Sequence, residues 1–281
     1  MENNKIDTIG LANRIKEEIR ADVDTLAFTP EYTCYIVSDE NGEFDKASER
    51  YVSLKHQTSE ECNVRCVVKK MTPQEFCQET MRIILQEEEP VRAMLQLPAP
   101  QACIECFEHA VAEGYIIDVD HLGDDVLTDM WTGKFDRIPG TPRGVIAVLC
   151  EELGSLSGKK IAVVGSRSKT TGRFLIPMLQ HLNATVLMYH SRSEIKMAEF
   201  SDCDAIVSCV GKPHMIGNIN ILGDKNTVCI DVGVSFKDGK VVGDFNPDIR
   251  HTKRYTPYVN GMGLLTRVML VRNVVDSYLV R

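Results

Sequence analysis

Four short apolar runs, KIAVVG, TVLMYH, AIVSCV and TVCIDVG, follow one another across residues 160–233. Each is short and rich in β-branched residues, and the helical stretch GRFLIPMLQHLN (172–183) separates the first two. Strands that alternate with helices form a parallel sheet with helices on its faces. Directly after KIAVVG comes SRSKTTG, so Gly165 and Gly172 bracket a loop whose backbone amides and following helix start suit a phosphate group. The result is the coarse outline of a dinucleotide-binding sheet. The loop is not GxGxxG, and by itself it does not decide the ligand.

The first half of the chain repeats the alternation. Ile9, Leu11, Ala12, Ile15 and Ile19 recur with helical period, and YTCYIVSD then reads as a strand. A helix opening with SERYVSLKHQ (48–57) follows, then NVRCVVKKM as a strand. TPQEFCQETMRIILQEE reads as a helix capped by Thr72 with Pro73 at its first position. AMLQLPAP is strand and loop, and CIECFEHAVAEG is a helix that stops at Gly114. Pro and Gly cluster in DRIPGTPRG (136–144), where the domain boundary is expected, before a helix VIAVLCEELG closed by Gly154. The last apolar helix, LLTRVMLVRNVVDSYLV, is long enough to cross back to the first domain. The expected fold is α/β with two domains: residues 1–139 plus 264–281, and a Rossmann-like domain at 140–263.

Net charge of −8 and a pI near 5.5 oppose a nucleic-acid role, which needs a basic stripe to neutralise phosphates. No apolar run approaches a membrane span, and the polar start lacks a secretory pattern, so a cytoplasmic location is expected. The ten cysteines are scattered through apparent strands and helices and read as free thiols. The closest pair, Cys103 and Cys106 in CIEC, has no second CxxC or paired histidines to complete a zinc site, so no metal is expected.

Several side chains stand where chemistry is done. Tyr51 and Lys55 are four apart and share one helix face, as either a solvated cation–ring pair or a stacking platform with a proton-transfer group. Gln96 falls at the carboxyl end of a strand, where open parallel sheets bind ligands. Asp118 and Asp120 fall at the end of another and can equally be turn formers. No carboxylate ends TVLMYH; Ser191 and Arg192 stand there, Arg167 can approach from the preceding loop, and Glu194 is close enough in sequence to pair with Arg192 instead. Guanidinium forks suit anionic oxygens, so NADP is preferred over NAD.

ASERYVSLK, LQLPAP, DVD, PGTPRG, SRSKTTG, YHSR, VGKP, IDVGV with GKVVGD, and TPYVNGMGLLT occur in this order. Together they resemble the bifunctional methylenetetrahydrofolate dehydrogenase/cyclohydrolase family over nearly the whole chain. The resemblance implies a folate-binding first domain, an NADP-binding second domain and an active-site cleft between them. It implies that Lys55 is the catalytic amine, Gln96 its hydrogen-bond partner, Asp120 the acceptor for the pterin and Tyr51 the ring that stacks on substrate. Gly261 and Gly263 would line the substrate site. Gly165, Ser166, Arg167, Ser168, Gly172, Ser191, Arg192, Val210, Gly211 and Val232 would hold the cofactor. It further implies NADP-dependent oxidation of 5,10-methylenetetrahydrofolate, hydrolysis of the methenyl product to 10-formyltetrahydrofolate, and a homodimer. The alternatives are retention of one activity alone, or a lapsed nucleotide-binding protein of the same fold. The chain departs from the family at His121 and Asn260, where glycine is typical, at Ile117 where lysine is typical, and at Thr170, Thr171, Val259 and Leu264.

Overall fold

The computed structural model describes residues 4–195, 197–217, 226–237, 240–251 and 253–279. They form two compact units, one of residues 1–13 and 124–269, the other of 14–123 and 270–281. These divisions differ from the sequence boundaries at 139/140 and 263/264. Helix α5 (Asp124–Trp131) belongs with the nucleotide-type unit because it packs on α7 (Gly172–His181) and Asp124 pairs with Arg173 at 2.7 Å.

In the second of these units, β1 (Glu31–Val37), β2 (Arg65–Met71), β3 (Val91–Leu95) and β4 (Ile116–Asp118) form a parallel sheet in the order β2-β1-β3-β4. The order reverses beside β1, so the carboxyl ends of β1 and β3 flank a topological switch point. Between the strands run α2 (Lys46–Glu60), α3 (Pro73–Gln86) and α4 (Gln101–Ala112); α1 (Thr8–Val23) precedes them. Their ends follow local chemistry. Asp45 caps α2 by accepting from Ser48 N at 2.7 Å. Thr72 and Glu75 form a capping box on α3, with Pro73 in the first turn where its missing N–H goes unneeded. Tyr35, Phe76, Ile83, Cys103 and Phe107 build the core between this sheet and α3 and α4.

The other unit contains β5 (Lys160–Val164), β6 (Thr185–Tyr189), β7 (Ala205–Ser208), β8 (Val228–Asp231) and β11 (Arg254–Tyr255), all parallel, in the order β11-β8-β7-β5-β6. Strands β7 and β8 are buried along their whole length, as expected of strands covered on both faces. Strand β6 lies at the edge and exposes Met188.

Three features depart from the sequence reading. Helix α6 spans Gly140–Leu153, so the Pro/Gly cluster forms its first turn instead of a linker; proline early in a helix sacrifices no hydrogen bond. Strands β9 (Ser235–Lys237) and β10 (Lys240–Val242) pair antiparallel, an element the sequence reading lacks. Gly239 of GKVVGD lies outside the described residues. The last helix, α8, runs Met262–Leu279, and Val280 also lies outside them.

Candidate active site

The buried residues of α2 are Ser48, Val52, Lys55, Thr58 and Ser59; Ser48, Val52, Lys55 and Ser59 recur every three to four residues and so share one face, with Thr58 beside them. Ser59 Oγ donates to the Lys55 carbonyl at 2.9 Å and lies 3.2 Å from Tyr32 Oη, which ties this face to β1. Lys55 is therefore held against the sheet and is only 3 % exposed. The four-residue spacing to Tyr51 places the ammonium 5.0 Å from the ring centroid.

The carboxyl ends of two strands bring the partners. Gln96, 9 % exposed, directly follows β3, and its Oε1 accepts from Lys55 Nζ at 2.9 Å. Its amide nitrogen donates to the Leu97 carbonyl at 2.7 Å, which turns the oxygen toward the lysine. Asp120, just beyond β4, places Oδ2 4.0 Å from Nζ. Met94 Sδ lies 3.4 Å from the same nitrogen, a contact the sequence reading did not anticipate. Burial pushes the nearby Cys34 thiol up to about 12, with the Lys55 charge opposing the rise, so Cys34 is an inert wall. Lys55, Gln96, Asp120 and Tyr51 thus converge. Asp118 does not join them; its carboxylate accepts from Asp120 N at 3.0 Å and Leu122 N at 3.1 Å and shapes the turn that presents Asp120.

That turn explains one departure from the family. His121 takes the left-handed conformation, φ 57°, and so does Asn260 at φ 56°. Both stand where glycine is typical because glycine enters that region without penalty. Asn260 is exposed, and its carbonyl accepts from Thr8 Oγ1 at 2.6 Å. Gly261 is buried beside it, and Gly263 is half-buried in the first turn of α8.

In the other unit, the loop after β5 lies at the point where the strand order reverses. Gly165 adopts φ +90°, and a Cβ there would stand 2.8 Å from the Cys209 carbonyl oxygen. A Cβ on Gly172 would stand 2.1 Å from the Gly165 oxygen, so only glycine lets the start of α7 close on this loop. The amides of Gly165 and Ser166 both donate to the Tyr189 carbonyl at 2.9 Å. The loop carrying Arg167 and Ser168 is thereby fixed to the end of β6, where Ser191 and Arg192 follow. Arg167, Ser191 and Arg192 are exposed and Ser166 is buried. A helix start closed on a glycine loop, with guanidinium groups on the adjoining segments, fits a phosphorylated dinucleotide.

Val210 and Gly211 follow β7, and Val232 follows β8. One side chain absent from the sequence reading organises the loop after β7. Asp244, fully buried, accepts from Ser208 Oγ at 2.6 Å, Val210 N at 2.9 Å and Lys212 N at 2.7 Å. Asp231 in turn accepts from Asp244 N at 3.1 Å and Phe245 N at 3.2 Å. The available signal was an acid inside the apolar run VVGDF. Among the described residues no cluster of His, Cys, Asp and Glu could hold a metal ion, and no helix is long and apolar enough to cross a membrane.

Two parallel-sheet units, one with a glycine loop at its switch point and the other with a buried amine at its strand ends, define a nucleotide-binding α/β enzyme class. The sequence profile of the tetrahydrofolate dehydrogenase/cyclohydrolase NAD(P)-binding domain matches residues 139–281. The bifunctional protein FolD of Brevibacillus brevis is 32 % identical over 279 residues, covering 95 % of this chain and 94 % of the relative. The chain belongs to the tetrahydrofolate dehydrogenase/cyclohydrolase family. Among solved structures, the FolD methylenetetrahydrofolate dehydrogenase/cyclohydrolase of Campylobacter jejuni is similar at TM-score 0.83 and 24 % identity, with 96 % of each chain covered. The Trypanosoma brucei enzyme, complexed with NADP and an inhibitor, is similar at TM-score 0.81 and 23 % identity, covering 99 % of this chain and 98 % of that one. At these identities the likeness concerns the fold.

Proposed function

We propose that this protein oxidises 5,10-methylenetetrahydrofolate to the 5,10-methenyl form with NADP and then hydrolyses that product to 10-formyltetrahydrofolate. The observation that carries the reading is the buried Lys55 amine, hydrogen-bonded to Gln96 at 2.9 Å with the Asp120 carboxylate 4.0 Å away. Tyr51, beside the amine, offers a flat face for the folate ring, and Asp120 an acceptor for the donor edge of the pterin. NADP, when bound, accepts the hydride from the one-carbon unit.

The chain's own residues orient the substrate and handle protons. In the hydrolytic step water adds to the methenyl carbon and gives up one proton, and the resulting hydroxyl gives up its proton as the bond from that carbon to N5 breaks and N5 gains one, so that one proton is released overall. Lys55 is the group placed to relay these protons, and the Gln96 oxygen fixes its nitrogen. Arg167, Ser191 and Arg192 hold the phosphate on the adenosine ribose, while the Gly165–Gly172 loop with Ser166 and Ser168 holds the pyrophosphate. Val210, Gly211 and Val232 line the nicotinamide end, and Gly261 and Gly263 the substrate site. The protein works in the cytoplasm as a homodimer, for which the edge strand β6 with exposed Met188 supplies a surface. Methenyl-folate absorbance followed with NADP and NAD in parallel tests the reading. Formation with NADP and subsequent decay support it, and no turnover with either cofactor overturns it.

A further inference from the structure

The CIEC motif on α4 has a third sulfur opposite it. Cys77 on α3 places Sγ 3.2 Å from Cys106 Sγ, and Cys103 stands three residues before Cys106 on α4. Helices α3 and α4 pack directly on each other, so this contact belongs to the body of the unit. The three thiols differ in access: Cys103 is fully buried, with Sγ 3.8 Å from the Pro73 carbonyl, whereas Cys77 and Cys106 are half-exposed. Among the described residues no group of three such side chains is arranged to hold a metal. Two-electron chemistry between a pair of thiols is what the geometry leaves.

We propose that Cys77 and Cys106 form a reversible disulfide that joins α3 to α4 when the protein meets a low-molecular-weight disulfide such as oxidised glutathione. A disulfide needs an S–S distance of about 2.0 Å, so the sulfurs must approach by roughly 1.2 Å, within the reach of side-chain rotation. One protein thiolate attacks a sulfur of the small disulfide and expels one small thiol. The second protein thiol loses its proton and attacks the protein-side sulfur of the mixed disulfide, expelling the other. Each protein sulfur loses one electron, the small disulfide gains two, and two small thiols leave. The bond would clamp the two helices that pack on the sheet whose β3 strand leads to Gln96.

The folded protein is equilibrated in glutathione buffers of increasing oxidised fraction, quenched in acid, alkylated and mapped by peptide mass spectrometry. The expected product is a peptide pair joined through Cys77 and Cys106, with an intact mass lower by two hydrogens and a higher thermal midpoint. Dithiothreitol should reverse all three. Cys77→Ser and Cys106→Ser should each lose the joined pair, and Cys103→Ser should retain it. A bond between Cys103 and Cys106, glutathione adducts without an internal bond, or joining only in denaturant would each overturn the proposal. Mapping the wild-type chain gives the answer even where a serine variant fails to fold.

Discussion

Lys55 Nζ and Gln96 Oε1 lie 2.9 Å apart although 41 residues separate them in the chain, one on a helix after β1 and the other at the end of β3. The amine has two oxygen partners of different character, a neutral amide at hydrogen-bond distance and a carboxylate at 4.0 Å. Replacing Lys55 with Met keeps much of the buried stem and removes the amine proposed to relay protons. Lys55→Met should lower methenyl-folate hydrolysis on the order of 10²–10⁴-fold, the usual range for a lost acid–base group. NADP binding, measured by calorimetry, should survive. Wild-type hydrolysis by this variant would remove the amine from the mechanism. Gln96→Ala should reduce turnover with little change in thermal midpoint, and unchanged kinetics would make Gln96 a loop residue only.

For Asp120 and Asp118 the structure separates two roles that their spacing left open. Asp118 accepts two backbone amides and shapes the turn, and Asp120 faces the amine. Asp120→Ala should therefore weaken folate binding by about 1.5–3 kcal/mol, roughly tenfold to a hundredfold, with the fold retained. Asp118→Ala should lower the thermal midpoint as well. Undiminished folate affinity in Asp120→Ala would end the pterin assignment.

How much of this was legible depended on how local the cause was. Thr72, Pro73 and Glu75 announce the start of α3 because a capping box is complete within four residues. The start of α6 was misread because Gly140 and Pro142 carry the same composition as a loop, and only packing distinguishes a first turn from a linker. Tyr51 and Lys55 could be placed on one face from spacing, but the Gln96 and Asp120 contacts depend on strand order, which the resemblance implied and spacing could not. Asp244 escaped notice because its partners, Ser208, Val210 and Lys212, lie more than thirty residues away.

Asp244 should act on both stability and cofactor use. Its two oxygens accept one hydroxyl and two amides, and an asparagine in its place presents an NH₂ where one oxygen accepted. Asp244→Asn should therefore destabilise by about 1–3 kcal/mol in chemical denaturation, with a raised Michaelis constant for NADP. Ser208→Ala, which removes one donor and leaves both amides bonded, should have a smaller effect on each. A Michaelis constant untouched in Asp244→Asn would mean that the Val210–Gly211 loop does not meet the cofactor.

Acid stability has a traceable contributor in Glu79. Hydrogen bonds from Arg82, reinforced by Lys69, hold its carboxyl down from the ordinary 4.5 to about 2. Because the folded value is the lower one, the contribution is full above about 4.5 and is lost as pH falls toward 2. Glu79→Gln should take up close to one proton fewer on unfolding in that window, giving a flatter dependence of stability on pH. Arg82 is half-exposed, so added salt should shrink the difference. Identical slopes for wild type and variant would show that Glu79 does not carry it.

The proposed site for the cofactor's ribose phosphate lies around the end of β6. The amides of Gly165 and Ser166 both bond the Tyr189 carbonyl, so the loop bearing Arg167 and the segment bearing Ser191 and Arg192 leave the same strand end. Residues 190–193 directly after β6 carry no carboxylate to hold a ribose 2′-hydroxyl, and even with Glu194 close to Arg192 in sequence two guanidinium groups would surround a plain hydroxyl with excess positive charge. A phosphate on that ribose supplies the compensation, so NADP should be used well ahead of NAD. Replacing both Arg167 and Arg192 with Ala should raise the Michaelis constant for NADP steeply and leave that for NAD nearly unchanged, because only the phosphate contact is removed. Both arginines are exposed, so the wild-type preference should also weaken as ionic strength rises. Equal use of NAD and NADP by the wild type, or equal weakening of both cofactors in the double variant, would place the specificity elsewhere in the chain.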